Sequence, residues 1–437
     1  MPTPSASVAS FWRRAARAAL RRLPTPCFVF AAAPLATQAA ALDRAFRGLP
    51  VTHWWSAKTL PLPRATRWWH AAGRPVEVVS AAEFAALHAA GVPVRDILIN
   101  GPAKHAWLPA HAAPRMRVNF DSPGELAALL PLARRLRWEA GLRLNTSLEG
   151  HPDFPASRTQ FGFLAGELPA ALRRLRAAGL EPRTLHFHLR TNVPAAHWYA
   201  HAAREALAAA DAASWQPEVL DLGGGFPPAG VADLEGRPLD RDFRVAEVAD
   251  LVRALGRERP HLREFWFENG RRLTAPAAAL ALRVLDVKEG RGLRAAICDG
   301  GRTLHAMVAT WERHALIPLR AGRISGPSPN PPAAAGPPAR RWSAGRALPP
   351  AVSHRMEEVG RRSGEGRARP TLVTGPTCMA FDHLGVHPLP ARLRAGDVLL
   401  WMDAGAYQLS WETRFSHGLA GIAWVEGRGV EVLRGAG

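Results

Sequence analysis

The strongest constraint on this chain is an alternation that runs from about residue 25 to residue 275. Short apolar runs, "CFVF" (27–30), "DILIN" (96–100), "MRVNF" (116–120), "LRLN" (142–145), "TLHFHL" (184–189), "VLDLGG" (219–224) and "EFWFENG" (264–270), read as strands. Between them lie Ala-, Leu- and Arg-rich stretches of helical character, such as "SAAEFAALHAAG" (80–91) and "PGELAALLPLARRLRWEAG" (123–141). Parallel strands need a long crossover, usually a helix, and each intervening stretch can supply one. About eight strand–helix units predict a closed (β/α)8 barrel of the TIM type.

After residue 275 the texture changes. "LALRVLDVKEG", "LRAAICDGG", "RPTLVTGPTC" and "GDVLLWMDAGAYQ" read as strands joined by Gly-rich turns without long helices between them. That predicts a C-terminal, mostly β domain, with a low-complexity insertion at 321–370. The expected division is an N-terminal segment (1–27) associated with the β domain, a barrel (28–272), and the β domain (273–437). The opening "SFWRRAARAALRRL" has the acid-free, Arg-rich character of a transit peptide, but the preferred reading is a basic first helix. There is no internal repeat.

Charge enters the argument here. The formal net charge is +19, from 56 Lys plus Arg against 37 Asp plus Glu. The arginines are scattered rather than gathered in a block, which argues against nucleic acid and leaves an acidic substrate or an acidic carrier protein as the partner that charge favours. Three cysteines without metal spacing indicate neither a disulfide framework nor a zinc site, and they fit a reducing cytoplasm. No apolar run reaches membrane-spanning length, so no membrane partner is expected.

Almost all the positive charge is arginine; the only lysines are Lys58, Lys104 and Lys288. Lysine can lose its proton when buried and become a nucleophile, which arginine cannot. Lys58, in "HWWSAKTLPL", is therefore a candidate for amine chemistry. Gly223, Gly224 and Gly225 follow a candidate strand and could bring backbone N–H groups to a phosphate. In "FENGRRL", Glu268 could hold a ring nitrogen protonated and Arg271 could clamp a phosphate. His186 and His188 would share one face of a strand. They could ligate a metal, but no carboxylate stands at suitable spacing. The preferred reading puts one histidine flat against a ring and the other in a structural role, and no metal is expected.

In order, these motifs resemble the fold-type III pyridoxal-phosphate decarboxylases, the diaminopimelate, ornithine and arginine decarboxylase group. The resemblance runs from "TPCFVF" to about Ser416, interrupted by the insertion. It implies an N-terminal barrel of the alanine racemase type with a C-terminal β domain, pyridoxal 5′-phosphate as cofactor, and a homodimer with shared active sites. By this resemblance Lys58, in "SAKT", is the Schiff-base lysine and His188 stacks on the pyridine ring. Thr191 stands where a phosphate-binding serine usually sits. Gly223, Gly224, Gly225, Arg271 and Tyr407 (in "DAGAY") contact phosphate, and Glu268 pairs with the pyridinium nitrogen. Cys378, in "GPTCMAFDHLG", protonates the α-carbon from the partner subunit.

The departures bear on substrate. Met379 stands where the ornithine and diaminopimelate enzymes usually carry an acid for the substrate's distal amino group. An ammonium left unpaired there costs on the order of 1–3 kcal/mol. Arg190 replaces a glycine and could bind a carboxylate. Gln160 replaces a lysine that usually pairs with the equivalent of Asp382, and Asn269 replaces a proline. Arg190, Met379 and Asp382 are the expected substrate-side residues, with a polar or anionic distal end on the substrate. Such a substrate would be an amino acid amidated to an acid such as citrate, as in siderophore or other secondary-metabolite assembly, or one attached to a carrier protein. The expected activity is PLP-dependent α-decarboxylation of an amino acid or its conjugate. Alternatives are an amino-acid racemase or epimerase on the same barrel, against which Gly-Pro-x-Cys argues, and a non-catalytic binding homologue. Retention of Lys58, Glu268, Arg271 and Cys378 argues against the latter.

Overall fold

The computed structural model describes residues 3–146, 159–290, 292–308, 310–320, 368–415 and 417–436. The insertion expected over 321–370 thus lies outside the described residues, except for 368–370, which open a strand. The chain forms two compact units. One comprises residues 1–36, 229–239 and 274–437, and the other 37–228 and 240–273.

Helix α1 (Ala6–Leu20) starts where Ser5 Oγ accepts the Val8 N–H, a side-chain cap that satisfies one of the helix's orphan donors. Its apolar stripe, including Trp12, Ala16, Ala19 and Leu20, is buried in one core with Cys27 and Val29 of β1 (Cys27–Ala31). Helix α2 (Ala32–Ala45) follows.

The barrel unit closes eight parallel strands: β2 (Val51–Ser56), β3 (Val76–Val78), β4 (Ile97–Ile99), β5 (Arg117–Phe120), β6 (Glu139–Arg143), β7 (Thr184–His186), β8 (Val219–Asp221) and β9 (Glu264–Asn269). Its crossover helices are α3 (Pro63–Ala71), α4 (Ala81–Ala89), α5 (Pro123–Leu136), α6 (Leu168–Ala177), α7 (His197–Ala212) and α8 (Val245–Glu258). Only short 3-10 turns join β4 to β5. Ser80 and Ser122 cap α4 and α5 by accepting the Glu83 and Glu125 N–H groups. Helix α5 was expected to reach 141. It stops at 136 because Arg137 takes a left-handed conformation, φ 52°, and β6 begins two residues later.

The strand expected at 27–30 forms, but it is not a barrel strand. It pairs with residues 278–281 antiparallel and 421–425 parallel, in the sheet of the other unit. The barrel is completed instead by β2 and β3, which the sequence pattern did not single out. A run buried on both faces suits either sheet, and its partners lie hundreds of residues away.

Inside the barrel, Trp54, Leu98, Val219 and Trp266 meet as an apolar layer. Side chains alternate along a strand, so the residue two places on returns to the interior, one layer nearer the C-terminal ends. Those residues are Ser56, Asn100, Asp221 and Glu268, all buried. The core of the barrel therefore turns polar on the side where barrel active sites form.

The other unit continues with β10 (Ala278–Gly290), β11 (Leu293–Cys298), β12 (Leu316–Leu319), β13 (Ala368–Thr374), β14 (His383–Pro390), β15 (Val398–Trp401), β16 (Gly421–Glu426) and β17 (Gly429–Arg434). The strand order is β14-β13-β11-β10-β1-β16-β17, and β15 pairs with β10 and β12. This chain therefore has a TIM-like barrel and a mostly β unit. Among the described residues, no helix is long and apolar enough to cross a membrane.

Candidate active site

Lys58 sits in a 3-10 turn, Ala57–Thr59, directly after β2. Its Nζ lies 3.0 and 3.2 Å from the two carboxylate oxygens of Glu77, and its side chain keeps 35% of its exposure. Glu77 is fully buried and faces Ser56 in register across β2 and β3; Ser56 Oγ donates to it at 2.6 Å. The amine is thus anchored from below and open above. The turn is also packed from the side. A Cβ on Gly270 would sit 2.3 Å from Thr59 Cγ2, so the glycine of "ENGR" lets the Glu268–Arg271 turn close against the lysine turn.

Glu268 ends β9, buried. Asn100 Nδ2 donates to its Oε1 at 2.5 Å, and His186 Nε2 lies 3.1 Å from the same oxygen. Burial alone would raise its pKa. His186, by charge and hydrogen bond, and Lys58, by charge, outweigh that and hold Glu268 ionised, below the usual carboxylate range. Asp221 is pushed the other way, up to about 7, because burial and the Glu268 charge exceed the help of His186 and the Gly223 N–H. Asn119 Nδ2 joins the cluster, 2.9 Å from Asn100 Oδ1 and 3.4 Å from Asp221 Oδ2. His186, Asp221 and Glu268 bring ligand-type atoms within 4.8 Å of one another. Protein donors already serve both carboxylates.

The two histidines do not share a strand face. β7 ends at His186, which points inward; His188 lies beyond the strand, half-buried, and its Nδ1 accepts the Gly224 N–H at 3.1 Å. Accepting that bond leaves the other nitrogen as the proton carrier, and desolvation keeps the ring neutral, with a pKa near 3. The glycine turn is packed on three sides. A Cβ at Gly223 would stand 2.6 Å from Phe187 O, at Gly224 2.5 Å from Glu268 O, and at Gly225 2.3 Å from Arg190 O. Glycine is the only residue that fits at all three positions. Arg271 opens a short helix, Arg271–Thr274, and is 7% exposed.

A cavity of about 430 Å3 opens beside His188. Arg143, Asn145, Thr146, Gln160, Arg190 and Thr191 are among its lining residues, and among the described residues no carboxylate lines it. Lys58, His188, Glu268, Arg271 and the three glycines all belong to the barrel unit, as do Arg190 and Thr191.

Cys378, Met379, Asp382 and Tyr407 belong to the other unit. Cys378 is exposed, whereas Cys27 and Cys298 are buried; burial pushes the Cys27 thiol up to about 12 and Cys298 still higher. Asp382, expected at the substrate, is 3% exposed. Its oxygens accept from Arg302 N, Thr377 N and Thr377 Oγ1 at 2.7–3.1 Å, so it closes its own turn and ties it to the segment at Arg302. Met379 lines an open groove with Arg302, Trp311, Phe381 and Trp411, and among the described residues no carboxylate lines it. Tyr407 adopts φ 64° and is half-buried. Sequence reasoning missed Glu77, Asn100, Asn119 and Asp221. Asn100 and Asp221 stand two places beyond buried Leu98 and Val219, but nothing local shows that they converge with Asn119, and Glu77 stands on a strand of only three residues.

Comparison with known proteins gives a consistent picture. Residues 33–275 match the family model for the pyridoxal-dependent decarboxylases, pyridoxal binding domain. Diaminopimelate decarboxylase of Deinococcus radiodurans is 29% identical over 294 residues, 67% of this chain and 73% of that one. The enzyme of the same name from Actinosynnema pretiosum subsp. auranticum is 27% identical over 402 residues, 88% of this chain and 80% of its own. Among solved structures, a diaminopimelate decarboxylase from M. jannaschi superposes with a TM-score of 0.76 at 18% identity, covering 97% of this chain and 92% of that one.

Proposed function

The chain belongs to the pyridoxal-dependent decarboxylases and is a PLP-dependent carboxy-lyase acting on an amino acid; from that premise we propose that its substrate is an amino acid or amino-acid conjugate lacking a free distal ammonium. The observation that carries this reading is that, among the described residues, no carboxylate lines either the cavity beside His188 or the groove at Met379. A distal ammonium would find no acceptor of opposite charge in either. An acylated amine or a carboxylate meets no such cost. A conjugated substrate of this kind belongs to a specialised biosynthetic pathway.

The residues present fit the cofactor. The glycine turn is a cradle that any Cβ would fill, and Glu268 is a buried carboxylate kept ionised. When bound, pyridoxal phosphate supplies an electron sink for the carbanion left by departing CO2. Lys58 would hold the cofactor through its amine, and Glu77 with Ser56 positions that amine. Glu268 keeps the pyridine nitrogen protonated, and Asn100 with His186 orients Glu268. His188, neutral and hydrogen-bonded to Gly224, offers a flat uncharged face to the ring. Gly223, Gly224, Gly225, Thr191 and Arg271, all of the barrel unit, would hold the phosphate. Cys378, exposed where Cys27 and Cys298 are buried, would be the proton donor to the α-carbon in a homodimer.

The test is carbon dioxide release by purified holoenzyme from free and N-acylated diamino acids of both hands. We expect release from conjugates above that from the free diamino acids. Lys58→Ala should lose both turnover and the borohydride-reducible link to the cofactor. Faster turnover of a free diamino acid would refute the substrate reading; no turnover of any amino acid by the holoenzyme would refute the assignment of this site.

A further inference from the structure

The cavity beside His188 adjoins the cofactor site through His188 and Thr191, and among the described residues its lining beyond them is one-sided. Two guanidiniums, Arg143 and Arg190, face it together with the uncharged Asn145, Thr146 and Gln160. Arg143 is fixed in place: its Nη1 lies 3.3 Å from Asp121 Oδ1, and its guanidinium stacks 4.5 Å from the Phe161 ring centre. Part of its charge is spent on Asp121. Arg190 has no such counter-charge; among the described residues no carboxylate pairs with it, and its Nε donates to the Thr191 carbonyl at 3.2 Å. His188 is neutral and adds no compensation. The cavity therefore carries an excess of positive charge with a fixed donor geometry.

We propose that this cavity is a subsite for a carboxylate at the distal end of the substrate, with Arg190 as the specificity-determining residue and Arg143 as its fixed second donor. The proposal rests on the decarboxylase reading above for which end of the substrate reacts. Guanidinium forks match a carboxylate with paired, charge-assisted hydrogen bonds, and an ammonium in the same place meets two like charges instead. Neutral amides and hydroxyls around the pair can take up the remaining lone pairs of one carboxylate or of a second acid group. Arg190 follows His188 by two residues, so a group bound there stays next to the ring that His188 presents.

The experiment measures binding, not turnover. Holoenzyme is titrated calorimetrically with matched series of ω-amino carboxylates and α,ω-diamines of increasing chain length, beginning with γ-aminobutyrate and putrescine. A charge-assisted bond discriminates by about 10- to 100-fold, so the carboxylates should bind more tightly by that factor. Arg190→Gln, which keeps length and polarity, should erase the preference, and Arg190→Glu should reverse it, with cofactor absorbance unchanged in both. Diamines binding as well as the carboxylates, or a preference surviving Arg190→Gln, would overturn the proposal. A preference that follows Arg190 in an enzyme releasing no CO2 would uphold it and sink the decarboxylase reading alone.

Discussion

Replacing Asp221 by asparagine should change the pH dependence of barrel stability in a defined direction. Asp221 is fully buried, and burial together with the Glu268 charge raises its pKa from the ordinary 3.8 to about 7. Between those values the folded chain holds a proton that the unfolded chain has released, so stability falls as pH rises through the window. At about 1.4 kcal/mol per pH unit, the cost reaches on the order of 4 kcal/mol by pH 8. Glu268 does not share the window, because it is held ionised throughout. Asparagine is the neutral isostere. Its Oδ1 can still accept the Gly223 N–H, now 3.0 Å from the aspartate, but its amide hydrogens meet Asn119 Nδ2, itself a donor. One unmet donor costs about 1–3 kcal/mol at every pH. The variant should therefore be the less stable protein near pH 4.5 and should draw level with or pass the wild type by pH 8. Urea unfolding of the cofactor-free chain, read by hydrogen exchange in the barrel strands, measures the difference at each pH. A difference constant to within about 0.5 kcal/mol across the range would refute the reasoning.

Two further substitutions test packing and buried charge. Gly224→Ala puts a Cβ 2.5 Å from the Glu268 carbonyl and should weaken cofactor binding at least ~10-fold; Gly256→Ala, in α8 with its nearest neighbour at 3.9 Å, should instead stabilise by about 0.5–1 kcal/mol. Fluorescence titration with pyridoxal phosphate and thermal melts separate the two. Lys104→Met breaks a fully buried pair, Nζ to Glu125 Oε1 at 2.7 Å, and should cost about 3–5 kcal/mol, with Glu125→Gln on top recovering part of it in a double-mutant cycle.

Much of this architecture was legible because its signals are local. Six of the seven apolar runs between residues 25 and 275 became barrel strands, since a short apolar run between longer helix-like stretches announces itself by length. The run at 27–30 was misassigned because its local signal is the same in either sheet, and only distant partners decide. "VEV" at 76–78 is too short to show any period, and Glu77 was lost with it. Where a motif fixes spacing, as with Lys58, Glu268 and the glycines, candidate residues could be named from the sequence. The orienting shell of Asn100, Asn119, Asp221 and Ser56 was not, because these residues come from separate strands and converge only when the barrel closes. His188 was assigned a strand face it does not have, since strand hydrogen bonding ends two residues before it.

The placement of the three lysines has a consequence for reactivity. Lys104 is sealed in the barrel wall, Lys288 is exposed on a β strand, and Lys58 stands half-open on Glu77. A carbonyl reagent reaching this protein therefore competes among very few side-chain amines. In a lysine-rich enzyme, selectivity for one amine must come entirely from faster reaction there. Here part of it comes from the scarcity of rivals, so an aldehyde that lingers near the barrel mouth has almost nowhere else to react.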